Sequence, residues 1–216
     1  MDDWLEDPLA VRKKGSLKYK QPKSLQENTR QNWKTFHFST RLKLEAADHF
    51  CRLAIGAASV PYDFGLPTLA YSQIKWYLDA FFFELISAYD TLLQEINVVY
   101  AVNLNIENVK WKSMRNELPI PLVDLMEGQW EATWFKRLRW YRNTATHHAY
   151  IPIGASTGGW REKPFDYEHH EVTLWHFDSD TNQWMPEDIK KACPKYLKKM
   201  AAHIRAVWRT MADKFD

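Results

Sequence analysis

Residues 134–148 hold the stretch whose side-chain types and spacing point to chemistry. Lys136, Arg137, Arg139 and Arg142 place four cations within seven residues, with no acid among them. A helix of that composition draws phosphate to its surface. Asn143, His147 and His148 follow at its C-terminal end. An unperturbed imidazole titrates at about 6.5, so it can give and take protons near neutral pH. A guanidinium can hold a phosphate through two hydrogen bonds and stabilise charge developing on it. A histidine of this helix end beside one of its arginines is therefore suited to acid–base work next to a phosphate.

Helix geometry constrains that pairing. Asn143 and His147 are four residues apart and share a face. Arg142 and His147 are five apart and diverge by roughly 140° on an ideal helix. Both reach one phosphate only through the length of the arginine, a distorted last turn, or a second copy of the helix across a dimer axis. The β-branched Thr144 and Thr146 favour a loosened end.

The elements that must position this stretch follow from periodicity and breakers. Ser24 with Glu27 is a capping-box signature. Phe36, Leu42, Ala46, Phe50, Leu53 and Ala57 then recur at helical spacing, predicting a helix that ends at the turn of 60–67. A second helix spans about 68–100, and its apolar residues, Trp76, Leu78, Phe81, Phe82, Leu85 and Tyr89 among them, nearly encircle it. One seam of that helix stays polar through Lys75, Asp79, Asp90, Gln94 and Asn97. Buried carboxylates need partners, so the seam should face something cationic or wet. A short helix at 108–117 stops before Pro119 and Pro121, and the next runs over 129–146, anchored by Trp134, Leu138, Tyr141 and Ala145. The glycines at 154, 158 and 159, the β-like run 172–177 and the turn-rich 178–182 predict a β-hairpin or extended insertion. Pro186, Glu187 and Asp188 then suit the start of a last helix. The expected fold is mainly α: a bundle of four to five helices with a small β-hairpin insertion before the last. Its parts are a mobile basic arm at 1–24, a helical core at 25–148, the insertion at 149–185, and a C-terminal helix at 186–216 packing on the core.

Composition narrows the function classes. With 216 residues, 45% hydrophobic and 26% charged, the chain can bury a substantial core and is not a disordered polymer. Seven glycines and the lack of GxxxxGK[ST], GxGxxG and GxSxG patterns exclude P-loop, dinucleotide-fold and α/β-hydrolase chemistry. Cys51 and Cys193 lie far apart along the chain and form no CxxC pair, which argues against a cysteine-built zinc site or a disulfide scaffold. His147, His148, His169, His170 and His176, with Glu168 and Glu171, are a candidate metal cluster, but adjacent histidines in polar loops are more often solvated and no HExxH spacing exists. No metal or cofactor is expected. The start is acidic rather than basic-then-apolar, and Asp79, Glu84, Asp90 and Glu95 interrupt the most apolar stretch, so a cytoplasmic protein without a membrane span is expected. The net charge of +2 conceals blocks, because the basic arm and basic helix are offset by an acidic start and an acidic insertion. Of the eleven tryptophans, those at 130, 134 and 140 could stack on RNA bases, although helical spacing favours core.

Arg142-Asn143 followed after three residues by His147 resembles the RNxxxH motif of HEPN domains (higher eukaryotes and prokaryotes nucleotide-binding). The stretch 88–97 of the long helix is similar to the corresponding element of one bacterial branch. The resemblance extends over 25–148 and the final helix, leaving out the arm and the hairpin segment. It implies a HEPN-like helical bundle that dimerises with the two motifs facing each other. In active members it implies a metal-independent endoribonuclease. His147 would then act as general base or acid on the ribose 2′-hydroxyl and the leaving oxygen, Arg142 would hold the scissile phosphate, and Asn143 would orient the histidine or the phosphate. Lys136, Arg139 and His148 would contact RNA, and an acid of the long helix would support the arginine, with Asp90 first and Glu84 or Glu95 as alternatives. A toxin or defence effector would fit, with an antitoxin or nucleotidyltransferase as partner.

A non-catalytic HEPN-like module that binds RNA, nucleotide or protein is the other reading. In it Arg142 is a structural partner of Asp90, and His147 simply favours a helix C-terminus. Arg30 and His37 satisfy a looser Arg-to-His spacing on the first helix, but they lack the asparagine and are expected at the surface.

Overall fold

The computed structural model of the protein describes residues 7–13, 16–19, 27–59, 68–147, 151–157, 170–178 and 181–215. Among the described residues there are six α-helices: α1 (Glu27–Ala58), α2 (Thr68–Val99), α3 (Trp111–Met114), α4 (Ile120–Glu131), α5 (Thr133–His147) and α6 (Ile189–Thr210). Strands β1 (Ala10–Lys13) and β2 (Ser16–Tyr19) pair antiparallel, and β3 (Ile153–Thr157), β4 (His170–Asp178) and β5 (Gln183–Asp188) form a second antiparallel sheet in the order β3-β4-β5. The mainly α class is as expected. Among the described residues no helix is long and apolar enough to cross a membrane.

Several boundaries differ from the sequence reading. Part of the basic arm is a hairpin ladder, with Ala10 opposite Tyr19 and Lys13 opposite Ser16. The capping serine, Ser24, lies outside the described residues. The helix expected from 129 is two helices, α4 and α5, separated at Ala132, whose backbone leaves the helical region. Pro119 and Pro121, read as a stop, are the N-cap and second residue of α4, where a missing N–H costs nothing. Pro186, Glu187 and Asp188 do not open the last helix. They finish β5, an edge strand where proline is tolerated, and the Asp188 carboxylate caps α6 by accepting from Lys190 N at 2.9 Å.

The chain divides into two compact units, one of residues 1–44, 87–135 and 198–216, the other of 45–86 and 136–197. The buried stripe of α1 contributes to both. It runs Trp33, His37, Thr40, Leu44, Ala47, Cys51, Ala54, Ala58, at alternating steps of four and three. That is a heptad seam, and its polar members disguise it in the sequence. The stripe expected from Leu42 and Ala46 is displaced by one or two positions, and Leu42 is exposed. On α2, Phe81, Phe82, Leu85 and Leu92 are fully buried as expected, whereas Trp76 is 62% exposed. The end of the polar seam is satisfied locally: Gln94 donates to Ile106 O, and Asn97 exchanges two hydrogen bonds with Leu104.

The first unit buries a charged cluster. His37, expected at the surface, is 1% exposed. Its Nε2 donates to Asp7 Oδ2 and its Nδ1 to Glu95 Oε2, each at 2.8 Å. Glu95 also accepts from Thr40 Oγ1 at 2.5 Å and Trp208 Nε1 at 3.1 Å, and Asp7 accepts from Leu9 N at 2.9 Å and Arg41 Nη1 at 3.4 Å. Trp33 stacks on the imidazole at 5.0 Å. Burial by itself would depress the histidine. The Glu95 charge, the hydrogen bonds from both carboxylates and the Asp7 charge together outweigh it and raise the pKa to about 9. The cluster thus holds an imidazolium between two carboxylates, and through Asp7 it ties the N-terminal segment to α1 and α2.

In the second unit the two cysteines meet. Both are buried, and the Cys193 thiol, held protonated by burial, donates to Cys51, whose own pKa the hydrogen bond lowers. Distance along the chain gave no hint of this pairing.

A histidine with a folded pKa raised from 6.5 to about 9 stabilises the fold fully below about pH 6.5, and that contribution is lost as pH rises through about 9. Urea unfolding across pH 6–10 should therefore show a loss on the order of 3 kcal/mol at most. Asp7→Asn, which removes one counter-charge, should move the loss to lower pH. An unfolding midpoint flat across this range in the wild-type chain would contradict the assignment.

Candidate functional site

Helix α5 buries Phe135, Leu138, Tyr141 and Thr144, a spacing of three throughout. Leu138 and Tyr141 match the expected stripe, but Phe135 and Thr144 replace Trp134 and Ala145, which are half-buried. Tyr141 stacks on Phe82 at 4.5 Å and meets Tyr196 edge-on at 6.2 Å. Its hydroxyl donates to Glu187 Oε2 at 3.3 Å and lies 3.3 Å from His176 Nδ1. Tyr196 donates to the same Glu187 oxygen at 2.5 Å. Burial first, and then the Glu187 charge, push both phenols well above the usual tyrosine range. Burial and the Arg137 charge lower His176, so that ring is neutral at pH 7.

The run of cations from 136 to 142 is free of acids along the chain but not in space. Arg137 Nη1 reaches Glu187 Oε1 at 3.3 Å, and its Nη2 reaches Asp178 Oδ2 at 3.5 Å. The insertion thus supplies β4 and β5 carboxylates to α5 and takes Arg137 out of the phosphate-binding set. No sequence pattern marked Glu187 as the partner, because strand pairing brings it there from 50 residues away. Lys136 is exposed and Arg139 half-buried.

At the motif end of α5 two side chains bond to near neighbours. Arg142 is partly exposed, and its Nη1 donates to the Oδ1 of exposed Asn143 at 3.3 Å. Arg142 Nε is a buried donor without a hydrogen-bond partner. Thr146 Oγ1 bonds back to Arg142 O at 2.8 Å, and Thr144 is buried. A back-bond of the Thr146 kind competes with the backbone ladder and tends to bend a helix slightly. His147 is the final helical residue of α5, and His148 lies outside the described residues.

Among the long-helix acids, Asp90 is exposed and Glu84 half-buried. Glu95 is removed from the alternatives, since both its oxygens serve His37, Thr40 and Trp208. Of the histidine cluster, His176 is committed to the Tyr141 network, while His148, Glu168 and His169 lie outside the described residues. No group of three or more His, Cys, Asp or Glu that could hold a metal occurs among the described residues. Trp130, Trp134 and Trp140 are all half-buried; Lys199 lies over the Trp134 ring at 5.6 Å, and Trp140 packs on Trp184 at 6.0 Å.

The family model for HEPN_Cthe2314-like HEPN matches residues 68–208, nearly two-thirds of the chain. That span includes the β3–β5 segment, which the motif resemblance had left out, and it omits α1. No curated protein and no solved structure matches the chain.

Glu187 joins three donors, so Glu187→Leu removes the carboxylate partner of Tyr196 and one of two partners each of Arg137 and Tyr141. It should lower the unfolding free energy by about 2–4 kcal/mol, against about 1 kcal/mol for Tyr196→Phe. Urea titrations with an unchanged slope would read this directly. Equal, small losses in both variants would show that the carboxylate is not the junction.

Proposed function

The chain belongs to the HEPN_Cthe2314-like HEPN family, and from that premise we propose that it is a metal-independent endoribonuclease whose reaction centre is Arg142, Asn143 and His147. His147 takes the proton of a ribose 2′-hydroxyl, whose oxygen attacks the adjacent phosphorus. The 5′ oxygen leaves with a proton returned by an imidazolium. The products carry a 2′,3′-cyclic phosphate and a 5′-hydroxyl, and no atom is gained from outside. Arg142 holds the phosphate and the charge that builds on it, and Asn143 fixes the guanidinium.

What supports the reading is the end of α5. The arginine of an RNxxxH motif is half-exposed, braced on the neighbouring asparagine, and keeps a donor at Nε without a partner. Lys136, Arg139 and His148 are the accompanying RNA contacts. Asp90 keeps the supporting role that the family resemblance gives it, Glu95 being spent on His37. Because Arg142 and His147 diverge on a regular helix, the working form is a homodimer in which one copy's Arg142 serves the other's His147. A toxin or defence effector is the biological role that fits.

Purified protein in excess EDTA should cut structured RNA to cyclic-phosphate ends. Arg142→Ala and His147→Ala should each reduce the rate by about 10²–10⁴. Mixing the two inactive variants should recover roughly a quarter of wild-type activity, since half the dimers regain one of two sites. Equal RNA binding by all forms with no cleavage by any would leave a non-catalytic binding module. Activity lost in EDTA and restored by zinc would overturn the metal-independent mechanism.

A further inference from the structure

Helices α1 and α6 meet along their buried seams, and their contacts run in opposite order along the two. Trp33 lies 5.1 Å from Phe215, just beyond α6, and His37 lies 4.6 Å from Trp208, ring centre to ring centre. About four turns further along α1, and as many back along α6, the seams present Cys51 and Cys193, both buried. There the Cys193 thiol donates to the Cys51 sulfur, so the two sulfurs are neighbours within the second unit. The chain holds no other cysteine. A pair of thiols in that contact lacks only the removal of two hydrogens to become a disulfide.

We propose that Cys51 and Cys193 are a redox pair, which a hydroperoxide closes to an intramolecular disulfide and a dithiol reopens. The two sulfurs have different parts. Cys51 keeps 3% of its surface exposed and Cys193 none, so a water-sized oxidant reaches Cys51. The hydrogen bond from Cys193 also favours the Cys51 thiolate, outweighing burial and the charge of Asp48, and Arg52 adds to it, whereas burial holds Cys193 protonated. The Cys51 thiolate attacks one peroxide oxygen and the O–O bond breaks. The departing oxygen takes the thiol's proton and leaves as water or an alcohol, and Cys51 becomes a sulfenic acid. The Cys193 sulfur then attacks the Cys51 sulfur, and the expelled hydroxide leaves as water with the Cys193 proton. Two thiols together give up two electrons, and the hydroperoxide accepts both. On α6 the approach of the sulfurs is eased by Pro194, which follows Cys193 and offers no N–H to Lys190 O, leaving the first turn one hydrogen bond short. Tyr196, one turn on, donates to Glu187, so the new bond ties α1 to the helix end that serves that carboxylate. The pair uses none of the residues of the RNxxxH motif and does not depend on RNA cleavage.

Hydrogen peroxide is the probe, added to the full chain under native conditions and quenched before the remaining thiols are alkylated in denaturant. Both thiols should disappear together, and the intact mass should fall by two hydrogens. A linked Cys51–Cys193 peptide should appear from a chain that still runs as a single copy on a non-reducing denaturing gel, and dithiothreitol should restore both thiols. The oxidised protein should melt roughly 5–15 °C higher than the reduced one, because the bond closes a loop of about 140 residues in the unfolded chain. Cys193→Ala should stop at a Cys51 sulfenic acid, captured by dimedone, and Cys51→Ala should leave Cys193 a thiol. The wild-type measurements stand whether or not those variants fold. Thiols untouched by millimolar peroxide, a cross-link between chains, sulfinic acid on either cysteine in place of the link, a disulfide that forms only after unfolding, or an oxidised form that melts below the reduced one would each overturn the proposal.

Discussion

One carboxylate fixes the helix that carries the motif. Glu187 accepts from Arg137 and Tyr141 on α5 and from Tyr196 on α6, at 3.3, 3.3 and 2.5 Å. It sits on β5, whose register is set by pairing with β4, so the rotation of α5 about its axis is set by a strand. The apolar face alone would position α5 only loosely, because Leu138 and Tyr141 could slide within a greasy contact. Hydrogen bonds to a single point fix the azimuth, and with it the direction in which Arg142 leaves the helix. The β segment therefore helps to hold the helix that carries the motif, and it lies within the span that the family model matches.

The two units solve the problem of buried charge differently. In the second, a carboxylate is satisfied by one guanidinium and two phenols, and the adjoining His176 stays neutral. In the first, the histidine itself carries the balancing charge between Asp7 and Glu95, with Arg41 at the margin. A buried ion is tolerated only when its partners are in place, so either cluster loses more from removal of one member than it gains from its presence. His37 is the one member bonded to both carboxylates; without it Glu95 keeps only neutral donors and Asp7 only Leu9 N and the marginal Arg41.

The mainly α class, the long second helix and the motif itself were legible from residue types and spacing. What escaped was whatever depended on partners distant along the chain. The α1 seam was misplaced because His37 and Thr40 occupy two of its positions and read as surface, although their carboxylate partner is 58 and 55 residues away. Pro119 and Pro121 were read as a stop because proline ends one helix and begins another with the same ring. Arg137 was counted as a free cation because strand pairing, which brings Asp178 and Glu187 to it, leaves no mark within the helix. The motif could be found in one dimension since its residues lie within one turn and a half; the groups that hold it could not.

The buried imidazolium has an optical consequence. His37 lies 5.0 Å from the ring of Trp33 and 4.6 Å from that of Trp208. Protonated imidazole in contact with indole quenches its emission far more than the neutral ring does. The emission of two of the eleven tryptophans should therefore follow the protonation of the cluster, weaker while it is charged and stronger when it loses its proton. The state of the N-terminal latch is written into the protein's own fluorescence, with no label attached.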